Sequence, residues 1–229
     1  MCGRFAQFTV LDNLQSRFPI DRVACEVRPS YNVAPSQEIL SIIRLKGNQL
    51  VNLNWGIVPF WVKDISKAAK PINARVETAA EKPSFKAAFR YRRCLILADG
   101  FYEWKKIGSR KQPWFLTLPE KEPFAFAGLW DAWTGEEGSV YHSCTILTTA
   151  ASDAIREIHH RMPIVLTPDA FNEWLNPDNQ DTSKLEILLT KHTVREFTAY
   201  PVTIYVNSPK NNDPKCIEPD KSLKDEVSA

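Results

Sequence analysis

Cys2 stands directly behind Met1 in the opening MCGRFAQ. An initiator methionine is ordinarily trimmed when a small residue follows it, and Cys2 then carries a free α-amine beside its own thiol. With reference pKa values of about 8 and about 8.5, both groups are partly nucleophilic near neutrality. Such an aminothiol is a two-headed nucleophile. The competing reading is that Cys2 packs as a small hydrophobe. Five other stretches set polar groups among aromatics and prolines, where a plain core would not want them: RPSYNVAPS (28–36), WGIVPFW (55–61), PINARVETA (71–79), ADGFYEWKK (98–106) and IHHRMP (158–163).

The elements that must position these stretches are mostly strands. EILSIIRL and LVNLNW alternate and are rich in branched residues, which reads as a strand pair. CLILAD, PWFLTL, FAFAGLW and VYHSCTILTT follow with turn residues between them, and FTAYPVTIYV reads as a closing strand. Helical spacing marks LDNLQSRF (11–18), KPSFKAAFRY, SDAIREI with Ser152 as N-cap, TPDAFNEWL opened by Thr167 and Pro168, and SKLEILLT. Strands joined as sequential hairpins argue against a doubly wound nucleotide fold, and neither GxGxxG nor GxxxxGK[ST] occurs. The expected class is α+β: a β-rich core of sequential antiparallel strands, a contorted barrel-like sheet, with peripheral helices. One domain is expected over 1–208, followed by a C-terminal extension over 209–229 that frays at KSLKDEVSA.

At 229 residues, 44% hydrophobic and 24% charged, the chain can fill a core. No apolar run approaches the roughly 18 residues of a membrane span and no secretory signal is visible, so the expected location is the cytoplasm. The five cysteines form no CxxC or CxxH pair, which speaks against a disulfide framework and against a zinc site; no metal and no cofactor is expected. The net charge of +2 hides a segment, 62–111, with 13 Lys or Arg against 5 Asp or Glu. That basic stretch is either a solvated face or a surface that tracks phosphates.

Taken in order, CGRF, NVAP, WGIVPFW, INARVET, DGFYEWKK, IHHRMP and VNSPKN resemble the SRAP family, the SOS-response-associated peptidases or abasic-site processing proteins. The resemblance runs over nearly the whole chain. It implies single-stranded DNA bearing an abasic site as substrate and partner, with the replication machinery as a further partner class, association with the nucleoid when on DNA, and a monomeric protein without membrane contact. It also implies that the Cys2 amine adds to the sugar aldehyde and that the thiol closes on the imine to give a thiazolidine. Such ring closure can reach effective molarities of about 10⁵ M. By motif match Asn73, Glu103 and His159 join Cys2 as catalytic residues, and Arg4, Asn32, Trp61, Arg75, Lys105, Lys106 and Arg161 as DNA contacts.

Each has a plainer alternative. Glu103 reads equally as a strand-edge carboxylate paired with Lys105 or Lys106, Asn73 as a turn residue after Pro71, and His159 as a structural histidine complicated by the adjacent His160. Trp55 and Phe60 join Trp61 as stacking candidates, with Trp55 reading as well as core. Self-removal of Met1 would make the chain a self-processing cysteine peptidase as well. Two rival functions stay open: a thiol peptidase built on Cys2, His159 and Asn73, and a single-strand binder without catalysis.

Overall fold

The computed structural model describes residues 2–223 of the 229. Among these the strands are β1 (Phe5–Gln7), β2 (Arg22–Val23), β3 (Ser30–Val33), β4 (Glu38–Leu45), β5 (Gly47–Trp55), β6 (Asn73–Arg75), β7 (Arg93–Ala98), β8 (Gly100–Ile107), β9 (Arg110–Thr117), β10 (Phe124–Thr134), β11 (Val140–Ala150), β12 (Arg161–Pro163), β13 (Val165–Leu166) and β14 (Thr198–Pro201). The α-helices are short: α1 (Leu11–Arg17), α2 (Val76–Ala79), α3 (Lys86–Tyr91), α4 (Asp153–Arg156), α5 (Phe171–Leu175) and α6 (Thr182–Lys191). None is long and apolar enough to cross a membrane.

Antiparallel neighbours run β11-β10-β7-β4-β5, and β5 then lies parallel to β11, with Asn54 opposite Ser143 and Trp55 opposite Cys144. This last pairing closes the row into a barrel-like ring. β7 and most of β10 are buried on both faces, which explains their continuous apolar runs. In β7, Leu95 and Leu97 face the layer covered by α3, α5 and α6, while Cys94, Ile96 and Ala98 face inward. There they meet Phe5, Phe101 and Leu116 of a second sheet, ordered β14-β9-β8-β1-β3.

The expected hairpins form, and the architecture is the barrel-like α+β fold read from the pattern. Four details differ. The parallel pairs of β11 with β5 and β6, and of β5 with β2, join strands far apart in sequence, so no local signal announces them. FTAYPVTIYV is a strand only over Thr198–Pro201 and then turns into a 3-10 helix at Ile204–Asn207. Pro168 opens a 3-10 turn before α5, and neither Thr167 nor Ser152 caps a helix with its side chain. The extension beyond 208 folds back on the domain and buries Cys216; the fraying expected at its end concerns residues 224–229, outside those described, apart from a 3-10 turn at Lys221–Leu223.

Two of the thirteen cations of the basic segment serve the fold. Arg93 is buried, and its guanidinium donates to the carbonyls of Phe89, Arg90, Trp174, Asn176 and Asn179, the loose ends of α3 and α5. Burial lowers its pKa to about 10. Arg92 pairs with buried Asp131, 3.1 Å away.

Gly100, at the start of β8, sits beneath the Phe115 ring, and a Cβ there would run into the ring's Cζ. Gly100→Ala is therefore expected to lower unfolding free energy by about 1–3 kcal/mol, read by urea denaturation.

Candidate active site

β1 threads between β8 and β3, so the start of the chain is a central strand of the second sheet. Phe5 pairs with Phe101 and Ala6 with Gly100, and the Tyr102 amide donates to the Arg4 carbonyl at 2.9 Å. Continuing that register sets Gly3 opposite Glu103. Alternation along β8 does the rest: Phe101 faces the apolar layer between the sheets, Tyr102 the opposite side, and Glu103 the same side as Phe101. Glu103 is thus a buried carboxyl on an interior strand, only 3% exposed, and not an edge residue. Burial pushes its pKa up to about 7.

Cys2 lies in the same layer, fully buried, with its thiol directed to the Arg4 carbonyl at 3.9 Å. Burial first, and the nearby Glu103 charge second, drive the thiol well above its ordinary range. Asn73 comes from β6, which the parallel pairing holds against Ile146 of β11. Its Nδ2 donates to the Cys2 carbonyl at 2.7 Å, while its buried Oδ1 has no partner among the described residues. His159 follows α4, and its Nδ1 lies 3.0 Å from both the backbone nitrogen and the carbonyl oxygen of Arg161, which orients the ring. Partial burial lowers its pKa. The His160 ring stacks on it at 4.4 Å between centroids, and His160 is close enough for its charge to act on Glu103. Lys105 of β8 meets Glu157 at 3.6 Å, tying the end of α4 to the strand that carries Glu103. Cys2, Asn73, Glu103 and His159 accordingly converge at one end of the layer between the sheets.

The expected DNA contacts divide. Trp61 and its neighbour Phe60 are 52% and 55% exposed. They lie on a loop that leaves β5 through Gly56, whose φ of +132° suits a residue without Cβ. Asp131 fastens the loop by accepting the Phe60 amide, and the Arg92 guanidinium lies over the Phe60 ring at 5.4 Å. Arg75 and Lys106 are exposed, and Lys105 is half-buried with its ammonium over Trp114 at 5.8 Å. Arg161 makes a two-pronged pair with Glu77, at 2.7 and 2.9 Å, and bonds the Thr148 carbonyl. Trp55 is core, its indole donating to the Ile72 carbonyl. Asn32 is buried, and the half-buried Arg4 bonds its Oδ1, so these two are brought to each other. Glu77 and Asp131 escaped the reading of the sequence. The only trace of Asp131 is a carboxylate closing the apolar run FAFAGLW, and nothing marks Glu77 as facing Arg161.

A groove of about 510 Å³ lined by Gln7, Glu26, Arg28 and Glu38 shares none of the four converging residues. Its volume alone gives it no chemistry.

Residues 1–209 match the family model described as SOS response associated peptidase (SRAP). The chain is 46% identical over 222 residues to the abasic site processing protein YoqW of Bacillus subtilis (strain 168), covering 95% of this chain and 99% of that one. It is 33% identical over 231 residues to the abasic site processing protein YedK of Escherichia coli (strain K12), covering 96% and 100%. A crystal structure of a protein from Bacteroides thetaiotaomicron superposes with a TM-score of 0.74 at 27% identity, over 93% of this chain and 91% of that one.

A carboxyl whose pKa is raised by folding binds its proton more tightly in the folded state. Its contribution to stability is full at low pH and declines as pH rises from about 4.5 to about 7. Glu103→Gln removes that decline. Urea denaturation should find the variant about as stable as the parent at pH 4 and more stable at pH 8, by up to about 3 kcal/mol.

Proposed function

The chain belongs to the SRAP family, and from that membership we propose that it captures abasic sites in single-stranded DNA as a covalent protein adduct through the amine and thiol of Cys2, once Met1 has been removed. The observation that carries the reading is the bond from Asn73 to the Cys2 carbonyl beside a buried carboxyl with a pKa near 7. A chain start held to this degree, next to a group able to give and take a proton at neutral pH, suits chemistry done by the terminus itself.

The free amine adds to the aldehyde of the opened sugar. Asn73 Oδ1, buried and unpartnered, is suited to accept a hydrogen bond from that nitrogen. Protonated Glu103 supplies the proton with which the carbinolamine loses water, leaving an iminium. The carboxylate so formed takes the thiol proton as sulfur adds to the iminium carbon. The carboxyl is restored, a saturated five-membered ring remains, and one water is released overall. An imine left open would act as an electron sink for β-elimination and strand cleavage; the ring removes that sink. His159, held by the Arg161 main chain, assists sugar opening.

Phe60 and Trp61 offer exposed rings for the bases beside the lesion, and Arg75, Lys105 and Lys106 offer charge for the phosphates. Arg161 joins them if phosphate competes with Glu77. Arg4 and Asn32 act by holding the chain start.

The thiol peptidase reading for other proteins gains no support, because a thiolate is the nucleophile in that chemistry and the surroundings of Cys2 disfavour it. Removal of Met1, by this chain or by a general aminopeptidase, is the condition for the α-amine of Cys2 to act.

Intact mass spectrometry before and after incubation with abasic single-stranded DNA should show loss of Met1 and then an adduct of protein plus DNA less one water. Cys2→Ala should bind the same DNA with little change yet form no stable adduct; an undiminished adduct would make a lysine the nucleophile and overturn the proposal. Trp61→Ala should weaken reversible binding by about 1–3 kcal/mol, one stacked base, as read by fluorescence anisotropy.

A further inference from the structure

The segment just past the stretch that matches the family model is tied to the start of the chain. Asn212 Oδ1 accepts three bonds from β3, from Ser30 Oγ at 3.0 Å, the Tyr31 amide at 2.7 Å and the Asn32 amide at 3.0 Å. Buried Asn32 in turn directs its Nδ2 at the carbonyls of Val206, Ser208 and Asn211, at 3.1, 3.0 and 2.6 Å. Its Oδ1 accepts from Arg4 Nη1 at 2.7 Å, and the same Nη1 donates to the Val206 carbonyl at 2.9 Å. The main chain of Arg4 is what Cys2 and β8 share, since its carbonyl accepts both the Cys2 thiol and the Tyr102 amide.

The strap is anchored independently of these bonds. Cys216 is buried, Tyr205 Oη donates to Asp213 at 2.8 Å, Asn211 Nδ2 donates to the Tyr205 carbonyl at 2.7 Å, and Trp104 Nε1 of β8 donates to Asn207 at 2.8 Å. A path of hydrogen bonds thus runs from Asn212 through Asn32 and Arg4 to Cys2.

We propose that Asn212, together with the strap over residues 204–217, is a positioning device for the reactive terminus: it fixes Asn32, and through it the Arg4 side chain, so that Cys2 is held in line with Glu103 and Asn73. Asn212 touches neither the reacting atoms nor Cys2. The proposal rests on the crosslinking reading for its kinetic consequence and on the hydrogen bonds alone for its structural one. The chemistry of the two asparagines sets opposite tolerances. Asn212 serves its three partners as an acceptor only, and it is exposed, so aspartate can replace it. Asn32 needs both an acceptor and a donor, so aspartate cannot.

The test compares the parent chain with Asn212→Ala, Asn212→Asp and Asn32→Asp by two measurements. Hydrogen exchange of the Tyr102 amide reads the seating of the terminus without any DNA. Single-turnover adduct formation with abasic single-stranded DNA, set beside the Kd for that DNA, separates positioning from binding. Asn212→Ala is expected to exchange Tyr102 at least tenfold faster and to form adduct at least tenfold more slowly, with Kd changed less than threefold. Asn212→Asp should restore both rates to within threefold of the parent, and Asn32→Asp should resemble Asn212→Ala. Unchanged Tyr102 exchange in Asn212→Ala, or failure of Asn212→Asp to restore it, would overturn the inference whether or not the parent reacts with DNA. A parent chain that forms no adduct would instead sink the crosslinking reading, with the exchange result still deciding the strap. Loss of Kd in parallel with rate would show a DNA-binding role and refute positioning.

Discussion

A reactive group at the end of a chain is covalently held from one side only, and ends fray unless something ties them down. In this fold the tie is the backbone ladder of β1, which is paired along both edges, with β8 on one side and β3 on the other. Much of the molecule serves that ladder. The ring of β11, β10, β7, β4 and β5 gives the second sheet an apolar wall to rest on, the β6–β11 pairing brings Asn73 to the Cys2 carbonyl, and the C-terminal turns close over Arg4 and Asn32. An enzyme built on an ordinary side-chain nucleophile needs none of this, because its chain is anchored on both flanks.

The electrostatics follow from the same burial. Removing Glu103 from water favours its neutral form, and removing Cys2 from water favours the thiol over the thiolate. The two effects reinforce each other, since a negative Glu103 makes a negative sulfur costlier still. Both groups are therefore biased toward their protonated forms, the carboxyl up to about pH 7 and the thiol beyond it. Partial burial likewise makes His159 less readily protonated than a free imidazole.

What could be read from the residues and what could not divides along the range of the interactions. Alternation and branched residues locate β4, β5, β7, β9, β10 and β11, because a strand's faces are written two residues apart. The parallel closure of β5 on β11 is invisible, since it depends on which surfaces remain uncovered after the hairpins form. The converging Cys2, Asn73, Glu103 and His159 were legible only through the order of the motifs. Asn32 illustrates the limit: a polar residue in the Pro-flanked stretch RPSYNVAPS looks like a ligand contact, and only the fold reveals three carbonyls and a guanidinium arranged around it. Arg92 and Arg93 teach the same lesson for charge, contributing to the basic balance of the sequence while serving carboxylate and helix ends inside.

The strand that covers Cys2 begins at Gly100, some hundred residues downstream of it. A ribosome adding about 5–20 residues each second needs roughly 5–20 s to supply that partner. β3, complete by residue 33, can pair with β1 well before then, but the edge of β1 that faces β8 stays uncovered for those seconds. The topology thereby separates in time the two flanks of β1: a nearby partner is available early, and a distant one completes the enclosure of the strand.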